Sequence, residues 1–247
     1  MAKKIYPSCN FREYSPSRNP YYEKLLHFSN SQSPLALINQ NTENYRGRWR
    51  ETFLLPPTSK LNFEIGSYHG ETFLFLAKEK PTELFLGLEW KFKILYQAAN
   101  KALAGNYKNL CFLRANAARL AMVVAPGEIN RLQVLFPDPW PKEQQQKWRL
   151  LHPDYFRILA HLLGEGAELL IKTDDPAYAD FIRESLKEVA AFDSFSQKET
   201  MEIWEGIPKT PFERIFLKQN LPIYTFTLFR NPKRVAVPKE MQHILGT

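Results

Sequence analysis

The chain has 247 residues, of which 44% are hydrophobic and 24% charged, enough for one large domain with a packed core and a small extension. Its 33 Lys and Arg residues against 26 Asp and Glu residues give a net charge of +7, which favours an anionic partner, with nucleic acid the first candidate and simple solubility the alternative. The two cysteines, Cys9 and Cys111, are far apart and form no C-x-x-C pair, so the pattern argues against a disulfide framework and a zinc site.

The chain contains no stretch that approaches the length of a membrane span, and residues 1–10 contain no apolar signal region. We therefore expect a cytoplasmic protein without a membrane partner. The histidines at positions 27, 152, 161 and 243 do not have the spacing of metal ligands, so no metal site is expected.

Residues 1–58 differ from the rest of the chain. They are rich in Ser, Asn, Pro, Tyr and Arg and have weak periodicity, which predicts an extension that partly wraps the core and partly stays mobile. Basic and aromatic side chains interleave at Arg46, Arg48, Trp49 and Arg50, a pattern that suits RNA backbone contacts and base stacking. A surface arm without RNA contacts explains this segment equally well.

From residue 60 onward, predicted strands and helices alternate. The predicted strands are 61–65, 83–88, 110–114, 132–136, 167–172 and 222–230, and the predicted helices are 71–80, 91–104, 153–163 and 176–189. This alternation predicts an α/β fold with a mostly parallel, doubly wound sheet, in which ligands bind beyond the carboxyl ends of the strands. We expect one domain over residues 59–231, followed by a basic tail at 232–247.

Two features at the ends of the first two of these strands indicate a nucleoside-containing cofactor. Gly66 and Gly70 follow the strand at 61–65, and glycines there allow a ligand to approach the backbone closely. Glu89 follows the strand at 83–88, roughly twenty positions after the glycine loop, where an acidic residue can bind ribose hydroxyls. Each feature alone also fits an ordinary turn or a carboxylate at a helix start.

The segment Phe136-Pro137-Asp138-Pro139-Trp140-Pro141-Lys142 is the most informative part of the sequence. Three prolines fix three φ angles and make a stiff loop where a buried strand leaves the sheet. That loop would hold Asp138 at the mouth of a cleft, with Trp140 as a flat face for a base and Lys142 as a phosphate contact. A rigid structural turn explains the prolines but not the carboxylate and the tryptophan.

At this F-P-D-P-W-P-K segment the chain resembles the bacterial tRNA (guanine-N7)-methyltransferases, which use S-adenosylmethionine (SAM). Further motifs resemble the family in the same order. They are Glu64-Ile65-Gly66, Gly87-Leu88-Glu89, Thr173-Asp174 with Tyr178, Thr210-x-Phe212-Glu213, and Arg230. The resemblance covers roughly residues 60–230.

The resemblance implies a seven-stranded, Rossmann-like sheet with one antiparallel edge strand, and methyl transfer from SAM to N7 of a variable-loop guanosine in tRNA. By motif, Glu64, Gly66 and Glu89 would contact SAM, and Asn116 stands where the family has an acid near the adenine. Asp138 would be the catalytic carboxylate. Asp174, Thr210 and Glu213 would complete the guanosine site, beside Lys142. The family also implies a chain that acts without a partner subunit, as a monomer or homodimer.

Three positions depart from the family pattern. Tyr68 replaces the middle glycine of the cofactor loop, Gln145 replaces a histidine, and Trp148 replaces an arginine. Two interpretations therefore stay open: an active methyltransferase, and a catalytically impaired RNA-binding relative. A nicotinamide oxidoreductase is disfavoured because the G-x-G-x-x-G fingerprint is missing.

Overall fold

The computed structural model describes residues 19–29 and 33–245. Of the segments discussed above, residues 1–18 and 30–32 of the predicted extension, including Cys9, and the last two residues of the basic tail lie outside the described residues. The chain divides into two compact units, and the division falls between Ala125 and Pro126. The predicted domain at 59–231 has residues in both units, and its boundaries stay a prediction.

The unit before Pro126 contains four strands that pair in parallel in the order β1-β4-β3-β2. Its elements are α1 (Tyr22–Leu26), β1 (Ala36–Ile38), α2 (Trp49–Thr52), β2 (Leu61–Ile65), α3 (Glu71–Glu79), β3 (Leu84–Leu88), α4 (Phe92–Ala104), β4 (Leu110–Arg114) and α5 (Leu120–Val123). Every residue of β2, β3 and β4 is buried. β3 and the first four residues of β4 are continuous apolar runs, as expected for strands covered on both faces, whereas β2 also buries the polar residues Asn62 and Glu64.

The predicted extension contributes a strand and a core residue to this unit. Ala36 of β1 pairs with Phe112 of β4, and all three residues of β1 are buried. Trp49 is fully buried, and its indole Nε1 donates a hydrogen bond to the Val123 carbonyl at 2.8 Å. Of the two interpretations left open for this segment, neither base stacking on RNA nor a plain surface arm holds for Trp49, because its ring is enclosed by the protein.

The unit from Pro126 onward contains the other four strands, in the order β5-β6-β8-β7. Its elements are β5 (Ile129–Leu135), α6 (Pro153–Leu162), β6 (Leu163–Thr173), α7 (Pro176–Lys187), β7 (Phe192–Ser194), α8 (Gln197–Glu205), α9 (Pro211–Lys218), β8 (Tyr224–Arg230) and α10 (Gln242–Leu245). β5 and β6 pair in parallel, whereas β8 is antiparallel to both β6 and β7.

The mostly parallel α/β arrangement and the reversed strand near the end of the chain are confirmed. The described residues hold eight strands instead of seven because β1 adds a strand that the Ser- and Asn-rich segment conceals. The short β7 pairs with the outer side of the reversed strand β8. β6 begins at Leu163, four residues before the predicted start at 167, and its register with β5 shifts between Ile129 and Arg131. Such a bulge lets a glycine with positive φ remain within a strand. Within the described ranges, no helix is long and apolar enough to cross a membrane.

Candidate active site

The first group of predicted site residues surrounds the end of β2. Glu64 is 3% exposed, and its Oε2 has no hydrogen-bond partner among the described residues. Burial raises the pKa of the Glu64 carboxyl to about 8, because a desolvated carboxylate is less stable than the neutral acid. Buried polar atoms in folded proteins usually have a partner, so this oxygen requires an explanation, and a role in binding or chemistry is one that fits its place at the end of β2.

The loop between β2 and α3 has three residues in the left-handed conformation: Gly66, Tyr68 and Gly70, with φ angles of 81°, 49° and 71°. The amides of Gly66 and Ser67 both donate to the Leu88 carbonyl of β3, which fixes the start of the loop. Gly66 is exposed, and a Cβ added there would meet no atom within 4 Å. The backbone at Gly66 is therefore open to a bound molecule.

Glu89 connects this loop to the start of α4. Its Oε2 accepts a hydrogen bond from the Tyr68 amide at 3.1 Å, and its Oε1 accepts one from the Lys91 amide at 2.8 Å. Each carboxylate oxygen keeps a further lone pair, so Glu89 can accept additional hydrogen bonds from hydroxyl groups. Asn116, after β4, is exposed, and its Oδ1 accepts from the Ala118 amide, which leaves the side-chain NH₂ as a donor.

The second group lies in the unit from Pro126 onward, beginning with the loop after β5. Phe136 and Trp140 both adopt left-handed backbone conformations, with φ angles of 54° and 46°, although neither is glycine. Such conformations cost about 1–2 kcal/mol per residue and persist where the surrounding structure enforces them, often at functional sites. Asp138 lies between them, exposed and without a hydrogen bond from the described residues.

The buried side chain of Arg149 binds the backbone of this loop. Arg149 is 3% exposed, its Nε donates to the Pro139 carbonyl at 2.8 Å, and its Nη1 donates to the Ala177 carbonyl at 3.4 Å. Its guanidinium also packs on the rings of Tyr178 and Phe181, at 5.2 and 5.0 Å from their centroids. Arg149 thus connects the Asp138 loop to α7. Sequence reasoning missed this role because the contacts join segments that are distant in the chain.

Two tryptophan rings, one in this loop and one shortly after it, contact each other. The rings of Trp140 and Trp148 meet edge to face with centroids 5.1 Å apart, and Trp148 is 41% exposed. The ammonium of Lys147 lies 5.5 Å from the Trp148 ring centroid, and Lys142 is exposed in the loop itself. Exposed aromatic faces beside lysines are typical of surfaces that bind single-stranded nucleic acid.

Of the remaining predicted site residues, Thr210 and Glu213 also make contacts that stabilise the fold. Thr210 caps α9 by accepting the Glu213 amide at 3.1 Å, and Glu213 forms a buried ion pair with Lys172 at 2.6 Å. Asp174 is half-buried and receives no hydrogen bond from the described residues, whereas the next residue, Asp175, caps α7 by accepting the Tyr178 amide at 2.7 Å. The T-D-x-x-x-Y segment therefore combines a helix cap with one free carboxylate.

Comparison with known proteins gives these residues a family. A sequence profile of the family described as "Putative methyltransferase" matches residues 58–226. The tRNA (guanine-N(7)-)-methyltransferase of Listeria monocytogenes serotype 4b is 30% identical over 190 residues, which cover 76% of this chain and 88% of that protein. This chain belongs to the tRNA (guanine-N7)-methyltransferase family. A relative with the same name from Geobacillus kaustophilus is 34% identical over 146 residues, covering 59% of this chain and 66% of the relative.

Among solved structures, the crystal structure of TrmN from Thermus thermophilus has a TM-score of 0.50 to this chain and 17% sequence identity. The match covers 76% of this chain and 51% of the TrmN chain. This likeness supports the fold that the sequence predicts for a tRNA (guanine-N7)-methyltransferase, the Rossmann-like fold of SAM-dependent methyltransferases.

The departure of this family member at Tyr68 has a geometric explanation. Tyr68 adopts the left-handed conformation that the family's glycine takes most easily, and its ring packs on His69 with centroids 4.1 Å apart. The loop therefore keeps a glycine-like backbone with a tyrosine. Gln145 and Trp148 lie in the 3₁₀ helix Glu143–Trp148, directly after the Asp138 loop. Among the residues that the structure covers, no cluster of His, Cys, Asp and Glu has the geometry of a metal site.

We expect Gly70→Ala to lower the free energy of unfolding more than Gly66→Ala in this methyltransferase. A Cβ at Gly70 would lie 2.3 Å from Cζ of the fully buried Phe112, so the clash adds about 1–3 kcal/mol to a conformational cost of about 1 kcal/mol. At Gly66 only the conformational cost applies. Urea unfolding of both variants measures the difference, and equal losses would show that the Phe112 ring moves aside freely.

Proposed function

We propose that this protein transfers the methyl group of SAM to N7 of a guanosine in the variable loop of tRNA. The observation that carries the proposal is Asp138, an exposed carboxylate between two left-handed residues of a proline-rich loop that a buried arginine holds in place. The family to which the chain belongs indicates the reaction. The chemistry of the two groups of site residues, those around β2 to β4 and those after Pro126, supports it.

The residues around β2, β3 and β4 fit SAM. SAM supplies an electrophilic methyl group on a positively charged sulfonium and also carries an ammonium group. The unpartnered Oε2 of Glu64 offers such a cation an acceptor, and the exposed backbone at Gly66 allows close approach. Glu89 has lone pairs for ribose hydroxyls, and the Asn116 amide can donate to a ring nitrogen of adenine.

The acceptor chemistry fits Asp138 and Asp174. Guanine N7 carries a free lone pair and no proton, so its methylation requires no general base. Positive charge develops on the purine during the reaction, and a fixed carboxylate stabilises that charge. Asp138 is available for this because no described residue uses it as an acceptor. Asp174 has the same property, at the carboxyl end of the neighbouring strand β6.

The RNA contacts that we propose involve residues in and directly after the Asp138 loop. Lys142 would contact a phosphate, and the Trp140–Trp148 pair would stack on an unpaired base, such as those of a variable loop. In this chain an aromatic face at Trp148 replaces a charge, so we expect tRNA binding to depend less on salt concentration and more on stacking.

We expect Asp138→Asn to lower kcat for tRNA methylation on the order of 10²-fold, with little change in SAM affinity, because the loop keeps its shape and loses only its charge. The measurement is transfer of labelled methyl from SAM to an unmodified tRNA transcript, with N7-methylguanosine identified by mass spectrometry. Asp180→Asn is the matched control, because Asp180 is an exposed residue of α7 paired with Arg183.

Two outcomes would contradict the proposal. If the native protein binds SAM and tRNA but forms no N7-methylguanosine with any tRNA tested, it is a non-catalytic RNA-binding relative. If Asp138→Asn methylates as fast as the native protein, the reaction does not depend on this carboxylate.

A further inference from the structure

Lys172 is a buried lysine that belongs to none of the sequence motifs described above. It lies in β6, is 8% exposed, and its Nζ donates to Oε1 of Glu213 at 2.6 Å. The partner carboxylate is equally enclosed, at 7% exposed. Two charges are removed from water at this point of the fold, and such a pair adds little net stability when its desolvation is counted. The pair therefore calls for a role other than stabilising the fold.

The ammonium of Lys172 is fixed on a second side by an aromatic ring. It lies 3.9 Å from the centroid of the Trp204 ring, and the Nε1 of Trp204 donates to Thr227 Oγ1 at 2.8 Å. A cation over an indole face is attracted by the ring's negative potential. Lys172 is thus held between α8 and α9, with its position defined by a ring and a carboxylate.

Glu213 is fixed by its backbone as well as by the lysine. It is the third residue of α9, whose N-cap Thr210 accepts the Glu213 amide at 3.1 Å. A carboxylate in the first turn of a helix is also favoured by the helix dipole. Oε1 is occupied by Lys172, while Oε2 receives no hydrogen bond from the described residues. Oε2 of Glu213 can therefore accept a hydrogen bond, and the ion pair with Lys172 fixes the orientation of this oxygen.

The main chain of Lys172 contacts the loop that carries Asp138. Its carbonyl accepts the Phe136 amide at 2.8 Å, at the start of the Asp138 loop. Asp174 follows two positions later in the chain. One residue therefore contacts the loop of Asp138 through its backbone, precedes Asp174, and pairs with Glu213 through its side chain.

We propose that Lys172 is a positioning residue that orients Glu213 so that Oε2 accepts from the N1–H and N2–H₂ edge of the target guanine. The inference rests on the proposed methylation of guanosine and adds to it the device that selects guanine. Without Lys172 the carboxylate loses its fixed direction, and the exocyclic amino group of the base is no longer favoured.

The test compares two tRNAs that carry either guanosine or inosine at the methylated position. Inosine retains N7 and N1–H but lacks the N2 amino group, so it loses one of the two hydrogen bonds to Glu213. We expect native protein to prefer guanosine at least 10-fold in kcat/KM. In Lys172→Met the preference falls towards 1, mainly through a higher KM for the guanosine tRNA. Lys172→Arg retains part of the preference, and Lys187→Met, an exposed control on α7, leaves it unchanged.

Glu213→Gln serves as the second variant if Lys172→Met is unstable. It too should lose the preference, and the double variant should show no further loss, because both changes remove one interaction. If Lys172→Met methylates more slowly but keeps the native preference, the lysine is structural only and the inference fails. If native protein does not methylate guanosine N7 at all, it is the proposed function that fails.

Discussion

Arg149→Met should lower the free energy of unfolding by about 3 kcal/mol and kcat on the order of 10²-fold. The variant removes the donors to the Pro139 and Ala177 carbonyls and the cation that packs on the rings of Tyr178 and Phe181. Two carbonyls lose a partner, and the loop that carries Asp138 loses its attachment to α7. A displacement of about 1 Å at a reacting group is enough for a rate loss of this size.

Urea unfolding and single-turnover methylation would separate the two effects of Arg149→Met. Arg149→Lys keeps the positive charge but not the planar fork, so we expect intermediate values of both quantities. Arg183→Met is the control, because Arg183 is a half-exposed arginine of α7 paired with Asp180. A variant that is less stable but retains the native single-turnover rate would show that Arg149 supports the fold without positioning Asp138.

The second large effect concerns Glu64 and pH. The pKa of its carboxyl is raised by burial to about 8, above the ordinary value of 4.5. The folded state therefore holds a proton that the unfolded state releases at lower pH. The contribution of this group to stability is fully present below pH 4.5 and is lost as pH rises through about 8, a total of about 5 kcal/mol.

We expect Glu64→Gln to remove this dependence. Near pH 5 the variant should be no more stable than native protein, since both then carry a neutral side chain, and near pH 8 it should be more stable. Urea unfolding between pH 5 and 8 measures the difference, with Glu143→Gln as an exposed control. A stability difference between native protein and Glu64→Gln that does not change with pH would contradict the assignment.

The same variant should bind SAM more weakly, because a cationic cofactor favours the ionised form of Glu64 over a neutral amide. Isothermal titration at pH 8 tests this separately from stability. A gain in stability with a loss of SAM affinity in one variant is the trade-off expected at a binding site that holds an unfavourably buried group.

The parts of the fold that the sequence predicts best are those whose residues are buried on every side. The strands at 61–65 and 110–114 match the structure to the residue. The run Leu110–Leu113 is uninterrupted and apolar, which specifies a buried parallel strand, and the strand at 61–65 places Leu61, Phe63 and Ile65 at alternate positions. β1 and β7 have three residues each, too few for any periodicity to be visible. β1 is also flanked in the sequence by Ser, Asn and Pro. The composition therefore indicates a loop, although pairing with β4 makes this segment a strand.

For the candidate site, sequence motifs identify the carboxylates but not the residues that position them. The sequence predicts Asp138 and Glu213 as site residues because their motifs are local. Lys172 gives only the weak signal of a charge in an apolar strand, and its partner Glu213 lies far along the chain. Arg149 gives no signal, since its contacts are to backbone carbonyls. Supporting interactions of this kind join segments that are distant in the chain, so they depend on tertiary structure. The individual roles predicted for the site residues stay predictions until the variants are measured.

The pairing of β1 with β4 has a consequence for how the chain can be shortened. β4 contains the run Leu110-Cys111-Phe112-Leu113, and β1 occupies the backbone hydrogen-bonding groups along one side of it. A truncated chain that begins at residue 59, where the composition changes, would leave this apolar strand as an open edge. Unprotected edges of this kind template pairing between molecules, so we expect a chain without residues 36–38 to self-associate more readily than the full chain.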